Sequence, residues 1–173
     1  PKNKSLPTFF ILVFILAIPF WVVEAVTGLY IPVINLPISA FVFICPIIAA
    51  LILVYRENGI PGVKQLLKRS FDFKRIKGKL WYLPIFLLMP AIIYAGYGLM
   101  KIMGRPIPDL QFPVGAVLSG FVVFFITALC EETGWTVYAT DPLQDRLGNA
   151  LMASLLLGVI WATWHIVPWL PGH

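Results

Sequence analysis

Five long stretches of this chain carry no Asp, Glu, Lys or Arg: Ser5–Val23, Ala25–Tyr55, Leu80–Met100, Leu110–Cys130 and Leu147–Gly172. Each can supply the ~20 mostly apolar residues that take a helix across about 30 Å of hydrocarbon. Only 12% of the 173 residues are charged and 60% are hydrophobic, with mean hydropathy +0.88. An average soluble domain is about 25% charged. The pattern predicts an all-α, polytopic transmembrane helical bundle of about five helices, at about 7–27, 37–56, 80–100, 113–140 and 148–170. A single membrane-embedded domain over residues 1–173 is expected from the length. The first run reads as a membrane helix and not as a cleaved signal peptide. Its apolar stretch, Phe9 to Val23, is near the upper limit for a signal core, and no small-residue cleavage site follows it. Pro1 stands where a native start has Met, so residues ahead of it are expected.

The basic residues give an orientation. Eight of the thirteen fall between Arg56 and Lys79, a segment of net +6 once Glu57 and Asp72 are counted, and Lys2 and Lys4 mark the N-terminal tail. The positive-inside rule makes both regions cytoplasmic. Lys101 and Arg105 then lie outside and the Asp141–Arg146 turn inside, eleven basic residues against two. The expected localisation is integral to a bacterial or archaeal cell membrane with a cytoplasmic N-terminus. Arg69, Lys74, Arg75, Lys77 and Lys79, with Leu66, Leu67, Phe71, Phe73 and Ile76, read as an amphipathic surface segment. The charges flank spans, where topology and anionic lipid account for them, so the lipid bilayer is a partner and nucleic acid is not.

Pro19, Pro46, Pro84 and Pro90 fall inside spans, where each removes a backbone donor and favours a kink. Gly28–Pro37 and Gly104–Pro113 read as external loops. Cys45 and Cys130 lie in different runs without CxxC spacing and read as buried thiols. Trp21, Tyr30, Tyr55, Trp81, Tyr82 and Trp169 fit an interfacial belt. Glu24, at the outer end of the first span, reads as a carboxylate in contact with water.

Chemistry concentrates where the fourth run ends, at Glu131 and Glu132. An Asp-type charge at the bilayer centre costs roughly 2.5–3.5 kcal/mol on insertion scales. Such residues face a bundle interior or a wet cavity and mark a functional site. Adjacent helical residues point about 100° apart, so the two acids cannot oppose each other across one substrate atom. One is expected to face the cavity while the other makes a structural bond. His165 lies in the fifth run, and Trp161, four residues earlier, shares its face and can wall the imidazole. The midpoint of residues 131 and 165 is Gly148, a natural helix breaker. In an antiparallel hairpin turning there, both lie about 25 Å from the tip at matching height. The pair is therefore expected within direct or single-water hydrogen-bonding reach.

A carboxylate that takes a proton from water, and a histidine that orients that water or supports an oxyanion, describe hydrolysis of a peptide or ester. A buried Glu–His bond that only pins two helices is the competing reading. One His and one Glu are too few for a catalytic zinc, which has three protein ligands, so no metal site or cofactor is implied.

At these residues the chain resembles the CAAX prenyl endopeptidase and bacteriocin-processing (CPBP, or Abi) family of membrane proteases. That family carries Glu-Glu-x-x-x-Arg on one membrane helix, often with Gly-Trp before the Arg, and an aromatic-x-x-x-His on the next. Glu131-Glu132-Thr133-Gly134-Trp135-Thr136 matches the first except at its last position, and Trp161-x-x-x-His165 matches the second. The text Pro142-Leu143-Gln144-x-Arg146-x-Gly148 and the basic loop before the third span are also similar, and the clear match covers about residues 115–170.

The resemblance implies that Glu131 is the general base on the attacking water. It implies that His165 binds or polarises that water, and that Glu132 is a supporting acid. Trp161, Trp135 and Thr136 would stand in supporting places. Thr136 replaces the Arg expected to hold Glu132. The chain also stops at His173, ahead of the helix that carries the family's third motif, so the domain is expected to be incomplete at its C-terminus.

Two functions from different classes follow. The first is an intramembrane endopeptidase cleaving a peptide or protein substrate, of CAAX type or bacteriocin-related. The second is a non-catalytic protein of the same fold acting in bacteriocin self-immunity or as a binding scaffold. A proton-coupled transporter fits less well, because no internal repeat is present.

Overall fold

The computed structural model describes residues 5–31, 36–107 and 113–167. The chain forms two compact units, one of Pro1–Phe71 with Phe121–His173, the other of Asp72–Gly120.

In the first unit, α1 (Leu6–Thr27) has Pro7 in its first turn, where a missing N–H leaves no bond unmade. It ends at Gly28, whose left-handed φ of 57° lets its N–H reach Glu24 O at 2.7 Å. Leu6, Phe9, Val13 and Ala17, three or four residues apart, form its buried stripe. Ile11, Ile15, Ile18 and Val22 stay exposed on the rest of the surface, as suits a helix bathed in lipid. β1 (Tyr30–Ile31) pairs antiparallel with β2 (Leu36–Pro37), and a short 3₁₀ turn over Ile38–Phe43 leads into α2 (Ile44–Ser70). Glu24 corrects its sequence reading. It is buried, 8% exposed, and its Oε2 accepts the Ser39 N–H at 2.8 Å, tying the end of α1 to the turn that starts α2.

The second helix differs most from expectation. The sequence predicts a span over 37–56 followed by a loop, but helical structure continues to Ser70 across a break at Gly59 (φ 60°, ψ −157°). Only glycine adopts such a conformation without strain. Pro61 then sits near the start of the second arm, where its fixed φ suits a helical first turn. Pro46, near one end of α2, lies against Gly134, and Ser70, at the other end, bonds Thr133. Two residues 24 apart thus meet adjacent positions, so the helix folds back on itself at Gly59.

The C-terminal part of this unit contains the rest of α4 (Val114–Glu132), a π turn over Thr133–Tyr138, α5 (Thr140–Leu147) and α6 (Ala150–Ile166). The fourth helical run therefore extends to Leu147, beyond the expected 140. Pro142 does not break it, because it falls in the first turn of α5. Gly148 (φ 63°) closes α5 with its N–H on Gln144 O at 2.8 Å, and the Asn149 side chain accepts the Met152 N–H at 3.1 Å to cap α6. The hairpin turns where the midpoint argument put it.

In the second unit, α3 (Tyr82–Ile102) follows short turns at Phe73–Arg75 and Lys79–Trp81 and ends through Gly104 (φ 69°). None of its described residues is buried.

Among the described residues the protein is all-α apart from the two-residue strands, and four stretches are long and apolar enough to span a membrane: Leu6–Thr27, Ile38–Ser70, Lys79–Ile102 and Val117–Leu147. The shorter apolar α6 makes the fifth helical run. Trp169, His173 and the end of the fifth expected span lie outside the described residues.

Candidate active site

The close approach of two backbones positions the acids. A Cβ added at Gly134 would lie 2.5 Å from Pro46 Cβ and 2.6 Å from the Pro46 carbonyl carbon and oxygen. Gly134 thus lets the end of α4 sit directly on the start of α2. There the helix widens, with Ala139 N–H bonded to Gly134 O five residues back at 3.2 Å. Single π turns of this kind recur at functional sites.

Trp135, fully buried inside the turn, anchors an aromatic cluster. It packs edge-on to Phe9 (centroids 5.7 Å) and Trp164 (5.8 Å), and stacks on Phe10 and on Trp161 (6.2 Å each). Trp164 in turn meets His165 edge-on at 4.9 Å. Trp21, expected at the interface, belongs to the same cluster through Trp164. The buried indole N–H groups of Trp21, Trp135 and Trp164 have no acceptor among the described residues. Trp161 is the exception: its Nε1–H donates to Glu131 Oε2 at 3.3 Å.

That same oxygen lies 3.8 Å from His165 Nε2. Glu131 and His165, 34 residues apart, face each other across the hairpin at the distance the spacing argument required. The imidazole is half-exposed while the carboxylate is mostly covered. His165 Nδ1 is 3.0 Å from the backbone carbonyl of Trp161. A carbonyl only accepts, so Nδ1 carries the hydrogen, and in the neutral ring Nε2 is the acceptor facing Glu131. Two acceptors 3.8 Å apart cannot bond directly. A water to one side of the pair, about 2.8 Å from each, can bridge them by donating one hydrogen to each.

Glu132 is turned elsewhere, as the 100° offset required. Its Oε2 accepts a hydrogen bond from the Thr136 hydroxyl, one helical turn along. The position expected to be an arginine thus still supplies a donor to Glu132, a neutral one. Thr133, in contrast, was given no role by the sequence reading. It is buried, donates to Leu129 O at 2.7 Å and bonds Ser70 Oγ at 3.0 Å. Arg69, read as a surface cation, forms an ion pair with Asp141 just past the π turn. Only the helix fold-back could have revealed these partners, and no hydropathy pattern marks it. Cys45 is buried as expected and Cys130 partly so.

Comparison with known proteins adds an independent line. Residues 113–171, which contain Glu131, Glu132, Trp161 and His165, match the family of Rce1-like type II CAAX prenyl endopeptidases. The CAAX prenyl protease 2 of Methanococcus maripaludis is 36% identical over 126 residues, covering 69% of this chain and 45% of that protein. The chain therefore spans about half the length of the curated relative it matches. No solved structure matches the chain at a significant level. Over these residues the chain is similar to the Rce1-like type II CAAX prenyl endopeptidases, the likeness its Glu-Glu and Trp-x-x-x-His text implied.

Proposed function

We propose that the protein is an intramembrane endopeptidase, hydrolysing a peptide bond in a membrane-associated substrate of the CAAX type. The observation that carries the reading is the facing of Glu131 Oε2 and His165 Nε2 at 3.8 Å, with each side chain hydrogen-bonded to Trp161. The relative's name supplies the substrate class.

In the mechanism, a water donates one hydrogen to Glu131 Oε2 and the other to His165 Nε2, leaving its lone pairs free. As the oxygen attacks the scissile carbonyl carbon, its proton passes to Glu131. The C–N bond of the tetrahedral intermediate then breaks, and Glu131 returns that proton to the leaving amine nitrogen. The products are an acid and an amine, with one water consumed. With its Nδ1–H committed to the Trp161 carbonyl, His165 acts on the water through Nε2 and does not donate to the oxyanion in its neutral form. Glu132, held by Thr136, supports the site without touching the reacting atoms.

By the distribution of basic residues, the N-terminus and the 56–79 segment lie in the cytoplasm. Membrane-associated peptides would then be reached from that side. Thr136 in place of Arg favours a second reading, a catalytically silent scaffold of the same fold acting by binding, as in bacteriocin self-immunity.

The test is cleavage of an internally quenched prenylated C-a-a-X peptide by the parent protein and by its Glu131→Gln and His165→Ala variants, alongside a bacteriocin-protection assay. Cleavage lost in both variants with membrane insertion intact is the expected result. Protection that survives both substitutions, with no cleavage by the parent, would select the scaffold.

A further inference from the structure

The returning arm of α2 grips the acid-bearing helix at two places. Ser70 Oγ holds Thr133, the first residue of the π turn, and Arg69 holds Asp141, three residues past its end. Between arm and turn lies a cavity of about 290 Å³, lined among others by Glu57, Gln65, Tyr138 and Asp145.

What the turn does for the acids follows from helix geometry. It holds one residue more than an α-helical turn would. If it relaxed to plain α-helix, one fewer residue would be needed to reach back from α5 to the height of His165. The position now held by Glu131 would pass to Glu132, and Glu131 would swing away by about 100°. The extra residue cannot move out of the turn unless the bonds to Thr133 and Asp141 slip with it.

We propose that Arg69 and Ser70 are positioning residues: by gripping both sides of the π turn they present Glu131, and not Glu132, to His165. The consequence for turnover rests on the hydrolytic reading, but the geometric content does not.

The decisive experiment needs no activity. In the parent protein in native membranes, with Cys45 and Cys130 replaced by Ala, two cysteine pairs are compared with a short bis-methanethiosulfonate cross-linker. One pair is Glu131→Cys with His165→Cys, the other Glu132→Cys with His165→Cys. The 131 pair should cross-link several-fold faster. Adding Arg69→Met and Ser70→Ala should bring the two rates together or reverse them, while Arg69→Lys alone should keep the original ratio. If the Met/Ala combination does not accumulate, Ser70→Ala alone should still shift the ratio toward the 132 pair. A ratio unchanged in the arm variants, or a 132 pair that is faster from the outset, overturns the proposal.

In a protein with all natural residues at the site, Arg69→Met should lower kcat on the quenched prenylated peptide about tenfold with KM unchanged. A misplacement of about 1 Å costs up to ~10²-fold. Absence of any cleavage by the parent would count against the hydrolytic reading alone, since the cross-linking ratio still decides the positioning role.

Discussion

Replacing Gly134 with Ala tests the packing on which the site is built. The added methyl would stand 2.5–2.6 Å from the Cβ, carbonyl carbon and oxygen of Pro46, where an ordinary contact begins at 3.4 Å. The obstacle is largely backbone inside a helix and cannot rotate away. One of the two helices must retreat by about 0.9 Å. Overpacking of this kind costs typically 1–3 kcal/mol, and a backbone obstacle puts the cost at about 3 kcal/mol. In a chain of 173 residues each kcal/mol lowers the melting temperature by about 2–4 °C, so a loss of about 6–12 °C is expected. Intrinsic tryptophan fluorescence in detergent reads it well, because Trp135 and Trp164 are both buried beside the contact. Glu131 lies three residues before Gly134, so the same retreat should lower kcat by one to two orders of magnitude, as expected for a misplacement of about 1 Å. Gly120→Ala is the control. A Cβ there meets nothing within 4 Å, and Ala in a helix is favoured over Gly by roughly 0.5–1 kcal/mol. A Gly134→Ala protein that melts and turns over with the parent would refute the claim that direct backbone contact between α4 and α2 sets the site.

Trp161→Phe keeps the ring and the family's aromatic pattern but removes the N–H on Glu131. A hydrogen bond to a charged group contributes about 1.5–3 kcal/mol, so kcat on the prenylated peptide should fall about tenfold or more with KM little changed. Glu24→Ala leaves the Ser39 N–H without its acceptor and should cost about 1–3 kcal/mol, read as a lower melting temperature. Glu24→Gln retains a carbonyl acceptor and should lose less. Thr136→Val removes the donor to Glu132 and should reduce kcat, whereas Thr136→Arg, which restores a donor with charge, should be neutral or raise it.

Features that leave a mark in hydropathy or spacing are legible in the sequence. Uncharged runs announced the helices because charge in hydrocarbon is costly. The equal distances of Glu131 and His165 from Gly148 announced their meeting, because rise per residue is nearly constant along a helix. The fold-back of α2 was not legible. Its charges, Lys64, Lys68 and Arg69, read as a loop or surface segment, and a turn made by Gly59 resembles any loop glycine. The π turn leaves no trace either, since one extra residue in a turn changes neither composition nor polarity. Missing these two features hid the roles of Ser70, Thr133 and Arg69. Glu24 was misread for a related reason. An acid at a span end faces water unless a neighbouring segment offers a backbone donor, and the Ile38–Phe43 turn offers Ser39.

The most direct test of the account compares the two adjacent acids in the parent protein, Glu131→Gln against Glu132→Gln, by single-turnover cleavage of the prenylated peptide. Each amide keeps the size of the side chain and cannot take the proton. Glu131→Gln should lose 10²–10⁴-fold, the contribution of a general base, while Glu132→Gln should lose less than about tenfold. Equal losses, or a loss confined to Glu132→Gln, would contradict the assignment of the water to Glu131 and His165.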